Sequence, residues 1–175
     1  LKFFKAEKFQ VKKRSEVLGM ITQDHYSIAV AGTHGKTTIS SMVAHVMYSG
    51  SKDCSAFVGG IMTNYDSNLL IGNQESVVVV EADEFDRSFL HLSPDFTVVT
   101  SLDPDHLDIY GNSEKMKESY LTFIDKTHQG GDILLHKDVS SKLGKDLSRK
   151  YRTYGLMGAQ ITAKNIRVQA SKFIF

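Results

Sequence analysis

The chain has 175 residues, a formal charge of +1 from 21 Lys and Arg against 20 Asp and Glu, 41% hydrophobic residues and one cysteine. A domain of this length buries roughly 70% of the surface its unfolded chain exposes, which excludes general disorder and any need for disulfides or structural metal. The near-neutral balance gives no global field for nucleic acid, and the longest aliphatic run, Val77 to Val80, is far short of the roughly 20 residues of a membrane span. The expectation is a soluble intracellular protein, with no nucleic-acid partner and no membrane insertion, whose function lies in local sites.

The first fourteen residues hold six cations against Glu7, with Phe3, Phe4 and Phe9 interleaved. Residues 1–13 read as a solvated linker or the remnant of a preceding domain, and residues 14–175 as the folded unit. The opening Leu1 and the apolar run from Lys172 to Phe175 suggest an excised piece of a longer chain.

From Tyr26 onward, strand-like and helix-like segments alternate, which predicts an α/β domain with a mainly parallel sheet flanked by helices. Tyr26 to Ala31 reads as a first buried strand. Ile39, Met42, Val43, Val46 and Met47 then repeat with helical period up to Gly50. Cys54 to Val58, Ser76 to Val80 and Phe96 to Thr100 are further strands, the second so rich in Val that both of its faces are expected to be covered. Ser113 is a candidate cap for a helix presenting Met116, Tyr120, Phe123 and Ile124 on one face. After a strand from Asp132 to His136, Asp138 is a candidate cap for a helix carrying Val139, Leu143 and Leu147. The tail from Ala159 shows short alternating segments, expected to form an antiparallel edge of the same sheet.

Three polar constellations follow predicted strands. The first, Gly32, Thr33, His34, Gly35, Lys36, Thr37 and Thr38, lies between strand and helix, where a phosphate loop belongs. Glycines let backbone amides converge on phosphate oxygens, the helix N-terminus adds partial positive charge, Lys36 can reach the β- and γ-phosphates, and the Thr37 hydroxyl can ligate Mg²⁺. The usual spacing asks for glycine where Val30 stands, so this P-loop is a shortened variant with Gly32 in that role. The second is Glu81, Ala82, Asp83, Glu84, Phe85, Asp86. A carboxylate at the end of a buried strand beside a phosphate loop holds metal, which selects Glu81, with Asp83 or Glu84 behind it. The third runs from Asp103 through Asp105, His106 and Asp108 to Tyr110 and Gly111. His106 can face a second Mg²⁺ or a phosphate, with Asp105 or Asp108 fixing its tautomer.

With these three motifs in this order, the chain resembles the central ATP-binding domain of the Mur ligases, from about Arg14 to Lys126 strongly and more loosely to Phe175. The resemblance implies a three-domain enzyme in which an N-terminal domain binds a UDP-sugar, this domain binds ATP, and a C-terminal domain helps bind ATP and the amino acid. Only the middle domain is expected here, so the segment alone is expected to be inactive. It also implies roles: Lys36 on the γ-phosphate, Thr37 and Glu81 on one Mg²⁺, His106 on a second. Family members that add later amino acids carry a carbamylated lysine some fifteen residues beyond this histidine, where this chain has Leu121. In that respect it is similar to members that join L-alanine to the lactyl carboxylate of UDP-N-acetylmuramate in the bacterial cytoplasm, for peptidoglycan synthesis. The run Gly59, Gly60, Ile61, Met62, Thr63, Asn64 resembles the family's loop near the UDP-sugar. Two alternatives remain at this level, a family ligase that joins a preformed peptide to the UDP-sugar and a non-catalytic ATP-binding switch.

Overall fold

The computed structural model describes residues 2–104, 110–169 and 172–174 and organises them around strand β1 (Ser27–Ala31). Small and β-branched residues make this strand, and Ala29, Val30 and Ala31 are wholly buried, so it can take neighbours on both edges. Those neighbours are β4 (Val77–Glu81) and β5 (Phe96–Val99), both parallel to it. The series continues with β2 (Cys54–Met62) parallel to β4, then β6 (Asp132–His136) beside β5 and β7 (Arg152–Tyr154) beside β6. Strand β3 (Ser67–Leu70) closes the other margin, giving the order β3-β2-β4-β1-β5-β6-β7.

The parallel α/β sheet expected from the sequence is therefore present, with a different antiparallel strand. That strand is β3, which turns back on β2. The tail instead pairs β8 (Arg167–Gln169) with β9 (Lys172–Ile174) as a separate two-stranded sheet. Alternation marked these residues as extended but carried no information about which partner they would find.

Helices cover the sheet unequally. On one face, Ala29, Val78, Val80, Val99 and Leu135 pack with α4 (Ser113–Asp125), which buries Met116, Tyr120, Phe123 and Ile124 as its period predicts. Phe123 stacks on Phe89 of a 3-10 turn, Phe85–His91, with ring centres 4.8 Å apart. Helix α5 (Lys137–Leu143) adds Val139 and Leu143 to the same core. The caps lie one or two residues earlier than expected: Asn112 accepts from the Lys115 amide and His136 accepts from the Asp138 amide, displacing Ser113 and Asp138 from that role.

Two helices precede β1. Helix α1 (Lys2–Ala6) falls within the segment read as a linker, and α2 (Arg14–Asp24) packs Leu18 and Ile21 against the first core. Gly19 of α2 lies under the 3-10 turn, where an added Cβ would stand 2.5 Å from the His91 carbonyl oxygen.

On the opposite face, α3 (Lys36–Ser49) lies against β2 and β4, turning small residues inward. Ser40 and Ala44 are buried, whereas Met42 and Val46 from its apolar stripe are 58% and 67% exposed. Helical period located the helix correctly, and Val43 and Met47 of the stripe pack partly buried against the core with Ala44, but the completely buried positions are held by side chains too small to register in the period. Ile39 and Val43 line an apolar cleft with Ile28, Phe96, Val98, Leu134 and Tyr154, so this face is bare over β1, β5 and β6. Among the described residues, no helix is long and apolar enough to cross a membrane.

Candidate phosphate-loop site

Residues 32–35 leave β1 and enter α3, with Gly35 as its N-cap, so the first amides of a fourteen-residue helix face the loop. Gly32 adopts φ 138°, and a Cβ there would collide with the Thr100 hydroxyl beyond the end of β5. Glycine is required by both the backbone angle and the space.

Strand ends on either side of β1 build the rest. From β5, Ser101 Oγ accepts from the His34 amide at 2.7 Å and lies 3.0 Å from the Thr33 hydroxyl, while Thr100 Oγ1 donates to the Ala31 carbonyl at 3.1 Å. The Thr33 hydroxyl in turn accepts from the Asp103 amide at 3.0 Å. These bonds fix the loop's outer curve against the next strand. Lys142 of α5 donates to the Leu102 carbonyl and to Asp103 Oδ1, both at 2.8 Å, and that hydrogen bond holds the Asp103 carboxyl below the usual carboxylate range.

From β4 comes Glu81. Its Oε1 accepts from the Thr37 hydroxyl at 2.9 Å and its Oε2 from the Gly59 amide at 2.6 Å. Gly59 admits this approach because it has no side chain; a Cβ would stand 2.7 Å from Oε1. A hydroxyl and a carboxylate thus meet at the start of α3. Both are hard oxygens, and Mg²⁺ characteristically takes one or two protein oxygens and completes its shell with water and phosphate. The pair fits that ion. Among the described residues, no group of three His, Cys, Asp or Glu side chains forms a larger cage.

Lys36 lies beside this pair. Its ammonium donates to the Gly32 carbonyl and to Glu84 Oε1, each at 2.8 Å, so it arches over the loop it belongs to. Glu84 itself is 1% exposed. Asp83 takes a different part, accepting from the Phe85 amide at 3.0 Å, and shares with Glu81, Lys13 and Arg14 a cavity of about 240 Å³.

The structure therefore brings together Lys36, Thr37 and Glu81 and holds Gly32, Thr33, His34 and Gly35 in the strand-to-helix turn. His34 and Thr38 are exposed, and Thr38 lines a cavity of about 340 Å³ with Thr37, Ser41, His45 and residues 61–65. His106, Asp105 and Asp108 lie outside the described residues. Of the stretch Gly59 to Asn64, the first four residues belong to β2 and only Thr63 and Asn64 to the turn before β3, so the double glycine admits neighbours within a strand instead of turning the chain. Leu121 is part of α4 and packs against the core, and Lys117 is paired with Asp146 at 2.6 Å. Thr100 and Ser101 are the site's unpredicted members; the only sequence signal for them is a pair of hydroxyls just past a buried strand.

The chain matches the family model described as the Mur ligase middle domain over residues 30–175. It is 45% identical over 178 aligned residues to a UDP-N-acetylmuramate--L-alanine ligase of Flavobacterium johnsoniae, with 99% of this chain covered and 37% of the relative. It is 47% identical over 174 to the protein of the same name from Flavobacterium psychrophilum, with the same coverages. Its fold superposes on a crystal structure of UDP-N-acetylmuramate-alanine ligase from Thermotoga maritima with a TM-score of 0.76 at 26% identity, covering 95% of this chain and 38% of that one. A ligase from Neisseria meningitides described as acting on UDP-N-acetylmuramate and L-alanyl-gamma-D-glutamyl-meso-diaminopimelate shares the fold, with a TM-score of 0.75 at 22% identity over 88% of this chain and 53% of that one. The chain spans 37% of the length of the two Flavobacterium relatives.

Proposed function

The chain belongs to the Mur ligase family, and from that premise we propose that it is the ATP-binding part of a ligase joining L-alanine to UDP-N-acetylmuramate. The observation that carries this reading is the meeting of Lys36, Thr37 and Glu81 at one strand-to-helix turn, with Thr37 Oγ1 and Glu81 Oε1 2.9 Å apart. The two relatives at 45% and 47% identity favour L-alanine over a preformed peptide as the group added.

The chemistry sets two anions against each other. The lactyl carboxylate of the UDP-sugar attacks the γ-phosphorus of ATP, ADP leaves, and an acyl phosphate forms; the amine of L-alanine then attacks its carbonyl carbon, loses a proton and expels phosphate. Positive charge must stand between the reactants. The amides at the N-terminus of α3 bind the phosphates, and Lys36 brings its ammonium to the transferred group. Thr37 and Glu81 would hold Mg²⁺, with His106 assigned to a second ion by the family resemblance. When bound, Mg²⁺ supplies further positive charge that screens the phosphate oxygens from the incoming carboxylate. Hydrogen bonds from Ser101 and Thr100 keep the loop in shape while the nucleotide enters and leaves. The proposed partners of this segment are UDP-N-acetylmuramate, L-alanine and the other domains of its polypeptide, in the bacterial cytoplasm.

Lys36→Ala in the full-length protein tests the reading. Loss of one preorganised charge is expected to lower turnover by about 10²-fold or more, measured as phosphate released from ATP with UDP-N-acetylmuramate and L-alanine present. Near-normal turnover would remove the loop from the mechanism.

A further inference from the structure

The acidic run after β4 divides its labour. Glu81 points to Thr37 and Gly59, whereas Glu84, three residues on, turns inward. A carboxylate in such a place is unfavourable unless a positive group and hydrogen bonds accompany it. Glu84 Oε1 has the Lys36 ammonium at 2.8 Å, and Oε2 has no hydrogen-bond partner among the described residues. Lys36 is also the only ion-pair partner of Glu84 among the described residues, so the buried charge depends on that one lysine.

The main chain of Glu84 is fixed just as closely. Its carbonyl accepts from the Tyr110 hydroxyl at 2.6 Å and from the Arg87 amide at 3.0 Å. Tyr110 is 1% exposed, burial and the nearby Glu84 charge push its phenol up to about 12, and the Arg87 guanidinium lies 5.4 Å above its ring. Tyr110 thus remains a hydrogen-bond donor at any working pH. Through it, the segment after β5 is tied to the residue that grips the phosphate-loop lysine.

An ammonium has three N–H groups. In Lys36 two are committed, to Gly32 and to Glu84, and its side chain is only 15% exposed. A lysine free in solvent loses the freedom of four rotatable bonds when it meets a phosphate, and a lysine already held loses much less. Taking Lys36 away from Glu84 would strand a buried carboxylate, so the favoured encounter leaves both existing bonds in place and uses the third N–H.

We infer that Glu84 is a positioning residue, which holds the Lys36 ammonium so that one N–H remains for a nucleotide phosphate, and that Tyr110 acts behind it by fixing the Glu84 main chain. The inference rests on the reading of the loop as an ATP site.

The test is a double-mutant cycle in the full-length protein. Two quantities are measured: the Kd for ATP by titration calorimetry without acceptor substrates, and kcat/KM for ATP. Glu84→Ala is expected to weaken ATP binding about tenfold, as loss of a charged hydrogen bond does, but to change it less than about twofold when Lys36→Ala is already present. Glu84→Gln keeps an oxygen for the ammonium and is expected to lose less than Glu84→Ala. Unchanged ATP binding in Glu84→Ala, or a loss of equal size in both backgrounds, overturns the inference, because a residue that only supports the fold acts whether or not the lysine is there. If Glu84→Ala does not fold, Tyr110→Phe makes the same comparison, with a smaller loss expected that also vanishes in Lys36→Ala. Should Lys36→Ala itself leave ATP binding and turnover unchanged, the reading of the loop falls, and this inference with it.

Discussion

Gly59 shows how little space the site leaves around its carboxylate. Its backbone amide is bonded to Glu81 Oε2, and a methyl group on the same residue would occupy the position of that carboxylate. Its φ lies outside the left-handed region, so alanine is tolerated by the backbone and the nearest conflict is with the Glu81 carboxylate. Gly59→Ala is therefore expected to raise the Mg²⁺ concentration for half-maximal activity of the full-length protein by about tenfold or more, as outer-shell changes typically do. An unchanged Mg²⁺ dependence would detach Glu81 from the metal. At this scale the sequence was informative where a residue type is tied to a strand end: Lys36, Thr37 and Glu81 could be named because loop chemistry specifies them. Thr100 and Ser101 could not, since hydroxyls after a strand are common and their partners lie 66 to 69 residues earlier in the chain.

Among the elements, α4 is the one whose face and start are both set by its own residues. Its four core side chains recur at helical spacing, and Asn112 satisfies the Lys115 amide at 2.9 Å. Asn112→Ala is expected to cost about 1 kcal/mol, read as a lower urea midpoint at unchanged slope. The same reasoning explains what stayed hidden. Helix α2 has Gly19 in its middle and a short, broken apolar stripe, so its tertiary contacts with the 3-10 turn decide it more than its pattern does. Within that turn Asp86 and Arg87 take φ of 52° and 55°, left-handed values that usually announce themselves through glycine and here do not. For α3, large apolar residues marked the helix, and Val43 and Met47 of that stripe do pack against the core, but the residues buried completely are Ser40 and Ala44.

For the molecule as a whole, alternating strands and helices predicted parallel pairing, while strand order and the separate pairing of the tail depend on contacts between distant segments that no local pattern encodes. The same holds for the bare apolar face. Parallel sheets are ordinarily covered on both sides, yet Phe96, Val98 and Leu134 share a cleft with Ile39 and Val43, and Met42 and Val46 stand out beside it. This chain is expected to bind an environment-sensitive apolar dye in its folded state. Replacing Met42 and Val46 with Lys should cut that fluorescence at least by about half while shifting stability by no more than about 0.5 kcal/mol per site. Dye binding that ignores both changes would place the sticky surface elsewhere.

Strand β1 has three strands on each side of it. Fraying of a sheet begins at its margins and moves inward, so β3 and β7 can open while the middle remains zipped. The turn proposed to cradle the triphosphate is thus moored to the strand that lets go last, and the proposed grip on nucleotide would be insulated from whatever breathing the outer strands undergo.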